Sequence, residues 1–261
     1  MSVNFIKVNN KIIHKPSGSD VNLEAGKVYT LKWENREDFS YLEEASNFKL
    51  PEKIYKLAGD DAFIKRVLTY YKSEKSSTTT GVLLSGVKGT GKTVLAKRIA
   101  NESKLPIIVV DSSFPFYALG TFFKPLKDEC CVIFDEVEKD TRLWDTRHLL
   151  ELLDGMSCTS KKLVLMTCNN KEELNENLFD RCSRVRYYRT YKANSNDRFI
   201  KEIALDKGID KEDIDKVYKF MIEKIKVRSV DNINAFLDEY IMFKDGYTLQ
   251  QILDEMNIFE R

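Results

Sequence analysis

The chain has 261 residues, of which 43% are hydrophobic and 11% aromatic, so it can bury a sizeable core and lacks the composition of a disordered protein. The formal net charge is +1, and neither end carries a run of like charges. The sequence therefore gives no sign of a basic nucleic-acid arm or an acidic tail.

The cysteines indicate a reducing compartment. There are five, with no C-x-x-C spacing, and several lie in or beside apolar runs: Cys130, Cys131, Cys158, Cys168 and Cys182. Such cysteines are predicted to be buried thiols. Because the sequence also has no signal-peptide core and no apolar run of about 18 residues, we expect a cytoplasmic protein without a membrane segment.

The first predicted domain, residues 1–50, is a small N-terminal β module. Three segments with alternating or β-rich character follow one another, each separated by turn residues: VNFIKV, KIIHK and KVYTLKW. Alternation of apolar and polar residues is typical of half-buried strands.

The second predicted domain, residues 51–190, is an α/β core. After a helical pattern that begins near Ile54, short apolar runs alternate with helical patterns: GVLLSG, LPIIVVDSS, CCVIFDE and KLVLMTCN. Such runs are typical of parallel strands that are buried on both faces, which predicts a three-layer fold. From 191 to 261 only helical spacing continues, so the third predicted domain is a helical lid.

The segment GVKGTGKT fits the phosphate-binding pattern G-x-x-x-x-G-K-[ST] and lies between a predicted strand and a predicted helix. Its glycines let backbone N–H groups face phosphate oxygens, and the helix N-terminus adds a positive dipole end. Lys92 is predicted to reach the β- and γ-phosphates, and Thr93 to bind Mg²⁺. A chance glycine turn is the alternative, which the flanking strand and helix disfavour. The predicted nucleotide-binding residues here are Gly86, Val87, Lys88, Gly89, Thr90, Gly91, Lys92, Thr93 and Val94.

The next apolar strand ends in Asp135 and Glu136, at the edge of a parallel sheet where ligands bind. Asp135 is predicted to join Thr93 in holding Mg²⁺, and Glu136 to orient or deprotonate an attacking water. An acidic helix N-cap is the alternative for both carboxylates.

A third strand ends in Thr167, Cys168, Asn169 and Asn170, and paired asparagines are most often turn formers. With this strand, the chain resembles the AAA+ ATPase family, in particular its classical AAA clade, over about residues 50–245. The segments that carry the resemblance are GVLLSGVKGTGKT, CCVIFDEVEK, HLLELLDGM and LVLMTCNNKEELNENLFDRCSRV. It implies that Asn169 is the sensor-1 residue, which positions the attacking water and the γ-phosphate, with Asn170 as second choice.

The resemblance also implies that Arg181 and Arg184 are arginine fingers, which enter the ATP site of a neighbouring subunit and offset transition-state charge. The segment RCSR departs from the family's R-P-G-R, since Cys182 and Ser183 replace proline and glycine. This departure weakens the assignment of Arg184 as a finger more than that of Arg181. An exposed basic turn is the alternative. Arginine fingers imply a homo-oligomeric ring, expected to be a hexamer.

Two further family features fall on residues with simpler alternatives. Arg228 lies where a sensor-2 arginine would begin a late lid helix, but it could equally be an ordinary surface arginine. Phe114, Phe116 and Tyr117 lie where a substrate-gripping pore loop is expected, while a buried aromatic cluster is the alternative.

Within the family, the segments DEVEK and LLDG and the arginine-rich turn resemble small phage-encoded AAA ATPases related to the mitochondrial AAA chaperone of respiratory-complex assembly. This implies a ring that uses ATP and Mg²⁺ to remodel or thread a protein substrate. A nucleic-acid loader or motor is the first alternative, disfavoured because strand binding usually needs a positive groove. An ATP-controlled assembly scaffold is the second, and Glu136 argues against it.

Overall fold

The computed structural model describes residues 4–8, 11–15, 22–36, 39–45, 48–76, 78–139, 145–192 and 194–258. The chain forms two compact units. The first comprises Met1–Ile54, Gly59–Ser85 and Thr93–Arg189, and the second comprises Tyr55–Ala58, Gly86–Lys92 and Thr190–Arg261.

Within the described ranges, nine strands form one sheet in the order β1-β2-β4-β3-β6-β7-β8-β5-β9. Their bounds are Asn4–Val8 (β1), Lys11–Lys15 (β2), Val28–Glu34 (β3), Phe39–Glu44 (β4), Thr79–Gly86 (β5), Ile107–Val110 (β6), Cys130–Phe134 (β7), Lys162–Cys168 (β8) and Tyr187–Tyr191 (β9). The pairs from β3 through β6, β7 and β8 to β5 are parallel, whereas β1, β2, β4 and β3 pair antiparallel.

The helices whose bounds the structure describes in the first unit include Asp60–Lys72 (α1), Lys92–Ser103 (α2, whose first residue lies in the second unit), Leu119–Phe123 (α3) and Arg147–Leu153 (α4). Every residue of β7 and β8 is buried, as expected for central parallel strands with both faces covered. Side chains on one face of both strands, among them Val132 and Val164, belong to a core with those of α3 and α4. The predicted α/β fold with a parallel sheet is confirmed.

The strands of the first 50 residues continue this sheet. Strand β3 lies parallel to β6, with Tyr29 opposite Ile108 and Leu31 opposite Val110. Tyr29 and Leu31 are buried in the same core as β7 and β8. The sequence predicts strands here but contains no signal for this long-range pairing. The domain boundaries after residues 50 and 190 stay predictions.

The described part of the second unit holds four further helices, Asp197–Asp206 (α5), Lys211–Lys224 (α6), Val230–Phe243 (α7) and Leu249–Asp254 (α8). Their apolar faces form a separate core that includes Phe199, Val217 and Phe236, as helical spacing predicts. Two of the helices begin at side-chain caps, which satisfy N–H groups of the first turn. Ser229 accepts from the N–H of Asn232 before α7, and Thr248 forms a capping box with Gln251 before α8.

The cysteines divide by environment. Cys130, Cys131 and Cys168 are buried thiols, as predicted, and Cys158 is half-buried. Burial raises the pKa of Cys130 to about 12, which keeps the thiol protonated and unreactive at neutral pH. The prediction is wrong for Cys182, which is exposed because it lies on a polar turn after β8. Within the described parts of the chain, no helix combines the length and apolarity needed to cross a bilayer.

Candidate active site

The loop Gly86–Lys92 leads from β5 into α2, and its conformation depends on glycine. The φ angles of Gly86, Gly89 and Gly91 are 137°, 71° and 95°, a region that residues with a Cβ rarely adopt. The backbone can therefore curl as a phosphate-binding loop requires.

Close packing gives Gly86 and Gly89 a second reason to be glycine. A Cβ on Gly86 would lie 1.9 Å from the carbonyl oxygen of Tyr191, and one on Gly89 would lie 2.3 Å from the Cβ of Ser229. The Gly89 carbonyl also accepts hydrogen bonds from Val230 N (3.2 Å) and from Asn196 Nδ2 (3.2 Å). Residues of the helical unit thus hold the loop, and no motif in the sequence marks Asn196 or Ser229 for this task.

Lys92 is buried, and its ammonium group bonds within the loop. Its Nζ donates to the carbonyl oxygens of Gly86 (2.7 Å) and Val87 (2.8 Å). The hydroxyl of Thr90 also donates to Val87 O, at 2.7 Å. Phosphate oxygens are stronger acceptors than carbonyls for an ammonium group, so a nucleotide phosphate can replace these bonds.

Asp135, at the carboxyl end of β7, is exposed and lies between two threonine hydroxyls. Thr93 Oγ1 donates to Asp135 Oδ1 at 2.9 Å, and Thr167 Oγ1 donates to the same oxygen at 2.6 Å. Thr167 also accepts from the N–H of Glu136, at 2.8 Å. Thr167 therefore fixes the position of Asp135. The sequence did not predict this role, although Thr167 lies near the end of β8, the third strand that carries a motif.

Asp135 and Thr93 fit a magnesium ion. Both present hard oxygen atoms, and Mg²⁺ takes octahedral oxygen ligands at about 2.1 Å, so neighbouring ligands lie about 3 Å apart. Thr93 Oγ1 and Asp135 Oδ1 are joined by a hydrogen bond of 2.9 Å, so the two oxygen atoms are already next to each other. These two residues could hold the ion beside a bound nucleotide.

Glu136 occupies an unusual backbone position, with φ at 54°. Left-handed geometry is uncommon outside glycine and is often found at functional sites. Its Oε1 accepts a hydrogen bond of 2.7 Å from Asn169 Nδ2, and its Oε2 pairs with the ammonium of Lys139. That hydrogen bond raises the pKa of Lys139. The carboxylate is thus held in one orientation at the carboxyl end of the sheet.

The two asparagines after β8 have different environments. Asn169 contacts Glu136, whereas Asn170 accepts from the N–H of Glu172 (3.1 Å) and donates to Glu173 Oε1 (3.2 Å). Asn170 thus initiates the 3₁₀ turn Lys171–Glu173, the ordinary task of an asparagine in a turn. The structure brings together Thr93, Asp135, Glu136 and Asn169.

Residues 82–190 match the model of the ATPase family associated with various cellular activities (AAA). The fold is that of an AAA+ P-loop ATPase. A solved structure concerned with katanin self-assembly agrees, with a TM-score of 0.51 over 78% of this chain and 74% of that chain. Because its sequence identity is 17%, this likeness concerns the fold alone.

Two of the curated relatives that match this chain are named as proteases or protease components. An ATP-dependent zinc metalloprotease FtsH from Heterosigma akashiwo is 33% identical over an alignment of 141 residues that covers 45% of this chain and 21% of the relative. The mitochondrial inner membrane m-AAA protease component yta12 from Schizosaccharomyces pombe is 24% identical over an alignment of 212 residues that covers 72% of this chain and 25% of the relative. The chain spans about a quarter or less of the length of these two proteins.

The two candidate arginine fingers of the AAA+ fold are placed differently. Arg184 forms a two-pronged ion pair with Asp154, with Nε–Oδ1 and Nη2–Oδ2 distances of 2.9 and 2.8 Å, and donates to Asn177 O at 2.6 Å. Its side chain is 12% exposed, against 64% for Arg181, whose Nη1 lies 3.8 Å from Asp154 Oδ2. To act as a finger, Arg184 would have to leave these partners, so Arg181 is the better candidate.

Arg228, the predicted sensor-2 residue, is buried within the helical unit. Its Nε lies 2.5 Å from Asp197 Oδ1, and its Nη1 donates to the carbonyl of Ile225. Arg228 is therefore not an ordinary surface arginine, which was the alternative prediction. A sensor role for Arg228 would require exchange of Asp197 for a phosphate, and it stays a prediction.

The aromatic segment after β6 is mostly core. Phe114 and Phe116 are buried, so their placement in a pore loop is wrong: Phe114 meets Trp33 edge to face, and Phe116 meets Phe134 in the same way. Tyr117, in contrast, is 51% exposed. Aromatic composition alone could not distinguish the buried rings from the exposed one.

Proposed function

We propose that this chain is a Mg²⁺-dependent ATPase that assembles into a homo-oligomeric ring, with six subunits expected, and remodels a protein substrate. The hydrogen bond between Asn169 Nδ2 and Glu136 Oε1 (2.7 Å) carries the proposal. It orients a catalytic carboxylate directly after Asp135, which is itself paired with Thr93. The match of residues 82–190 to an ATPase family supports the activity.

The roles follow from the contacts. The loop N–H groups and Lys92 bind the phosphates, and Thr93 and Asp135 would hold Mg²⁺, which would neutralise phosphate charge. Water adds to the γ-phosphorus as the bond to the bridging oxygen of ADP breaks. Glu136 accepts the proton of that water. Asn169 keeps the carboxylate oriented for this transfer.

Two substitutions separate binding from turnover. Lys92→Ala should lose ATP binding, because it removes the ammonium group that bonds the phosphates, while Glu136→Gln should bind ATP and lose hydrolysis. Binding is measured with a fluorescent ATP analogue and hydrolysis by phosphate release, with and without EDTA. Lys65→Ala and Glu176→Gln, both at exposed positions, are matched controls. Equal nucleotide affinity in wild type and Lys92→Ala would contradict the assignment of the loop.

The exposure of Arg181 supports the ring, because an arginine finger must project from the surface of its own subunit to reach the ATP site of the neighbouring subunit. The relation to phage ATPases and to the mitochondrial chaperone belongs to this proposal as well. Analytical ultracentrifugation with Glu136→Gln and ATP should show a species larger than the monomer, whereas a monomer at all concentrations would contradict the ring.

A further inference from the structure

Glu138 is a buried carboxylate next to the catalytic residues. It lies two residues after Glu136, and 3% of its surface is exposed. Its Oε1 accepts two hydrogen bonds from Asn169, one from the backbone N–H (2.9 Å) and one from Nδ2 (2.9 Å). A single carboxylate oxygen therefore holds both the backbone and the side chain of the same residue.

This arrangement fixes the orientation of the Asn169 amide. The Nδ2 group has two N–H bonds, and its two carboxylate partners are Glu136 Oε1 at 2.7 Å and Glu138 Oε1 at 2.9 Å. Ionised carboxylates only accept hydrogen bonds. A flipped amide would place an oxygen against two carboxylate oxygens, so only one orientation is compatible with both partners.

Burial of a carboxylate costs free energy unless hydrogen bonds compensate it. At Glu138 the compensation includes the bonds from Asn169, so the two residues stabilise each other. An apolar residue would fill such a position at no desolvation cost. A carboxylate at this buried position is explained if Glu138 holds Asn169 in place.

We propose that Glu138 is a positioning residue for hydrolysis, which acts through Asn169 on the orientation of Glu136. The inference rests on the proposed roles of Glu136 and Asn169. Glu138 touches neither substrate nor metal in this account. Glu138 orients the side-chain amide of Asn169, and that amide orients the carboxylate of Glu136.

The test is a series of substitutions at Glu138. Glu138→Ala removes the acceptor and should lower kcat about 10- to 100-fold, as loss of an outer partner does at other sites, with the KM for ATP unchanged. Glu138→Gln keeps an acceptor oxygen of the same reach and should restore most of kcat. Glu138→Asp keeps the charge but is one methylene shorter, so it should resemble Ala. Glu176→Gln, at an exposed position after β8, is the matched control.

A double-mutant cycle separates this role from a structural one. In an Asn169→Ala background, Glu138→Ala should cause little further loss of kcat, because both changes remove the same constraint. An equal fold-loss in both backgrounds, or a raised KM at unchanged kcat, overturns the proposal. If Glu138→Ala fails to fold, full activity of a folded Glu138→Asp overturns it instead. Hydrolysis by wild type and its loss in Glu136→Gln, measured in parallel, show whether the proposed function itself stands.

Discussion

The carboxyl ends of β7 and β8 and the turn after β8 present functional residues in opposite ways. At the strand ends, Glu136 and Asn169 bond to each other, and Asp135 is set by Thr167. On the turn, the side chain of Arg181 is 64% exposed and only approaches Asp154, at 3.8 Å. In the proposed function, the residues that act on a nucleotide bound by their own chain are held in place beforehand, whereas the residue proposed for a neighbouring subunit is left accessible.

The two arginines of the turn show the same contrast between a fixed and an exposed side chain. Arg184 is tied to Asp154 by two hydrogen bonds and is 12% exposed. Its ion pair anchors the turn, and Arg181 extends from it. A fixed base and an exposed arginine are what a finger for another subunit requires.

Among the variants that compare Asn169, Arg181, Arg184 and Tyr117, the largest effect on hydrolysis is expected from Arg181→Ala. Loss of a finger charge typically costs about 10³-fold or more in kcat, while ATP binding should stay nearly normal because the charge matters most in the transition state. Steady-state hydrolysis and nucleotide binding measure the two effects. Arg147→Ala, which removes another exposed arginine paired with an aspartate, is the control. Equal activity of the two variants would remove Arg181 from the site.

Asn169→Ala tests whether the residues at the ends of β7 and β8 are held in place before the nucleotide binds. It should lower kcat about 100-fold, a size typical of the loss of one positioned donor, because Glu136 loses its orienting partner. Asn170→Ala is the matched control, since Asn170 only initiates a turn, and it should keep most activity. If Asn170→Ala is the more damaging change, the sensor assignment moves by one residue.

Arg184→Ala should act on stability more than on chemistry. Removing one partner of a half-buried ion pair with two hydrogen bonds costs about 2 kcal/mol, which urea unfolding at pH 7 can measure. Arg181→Ala should leave the free energy of unfolding nearly unchanged. If both variants unfold with wild-type midpoints, Arg184 does not anchor the turn.

The same pair predicts a pH dependence. The hydrogen bonds from Arg184 hold the pKa of Asp154 below its ordinary value of 3.8. A lowered pKa in the folded state means that the pair contributes stability above about pH 4 and loses that contribution as the pH falls through the folded pKa. The difference in unfolding free energy between wild type and Asp154→Asn should therefore shrink on acidification. A difference that is constant from pH 7 to pH 3 would contradict this assignment.

The smallest effect on basal hydrolysis is expected from Tyr117→Ala. Tyr117 is 51% exposed and packs its ring edge to face on Trp33, with 5.7 Å between centroids. If it grips polypeptide, its loss should uncouple hydrolysis from remodelling of an unfolded model protein. Unchanged remodelling, or hydrolysis stimulated only by DNA or RNA, would contradict a protein-gripping role.

The predictable parts of the molecule are those in which function depends on neighbouring residues in the chain. The glycine loop and the strands that end in Asp135 and Asn169 carry local patterns of apolar residues, glycines and acids. The pairing of β3 with β6 joins segments almost 80 residues apart, and no local pattern encodes it. The same is true of Arg184 and Asp154, whose contact decides which arginine stays exposed.

The most direct test of a site completed across subunits mixes two inactive variants, Arg181→Ala and Lys92→Ala. A mixed assembly can pair an intact phosphate-binding loop on one chain with an intact arginine on its neighbour. Hydrolysis should partly return on mixing, and the wild-type specific activity should rise with protein concentration. If mixing restores nothing and the wild-type chain hydrolyses ATP as a monomer at a concentration-independent rate, the account of Arg181 and of the ring is wrong.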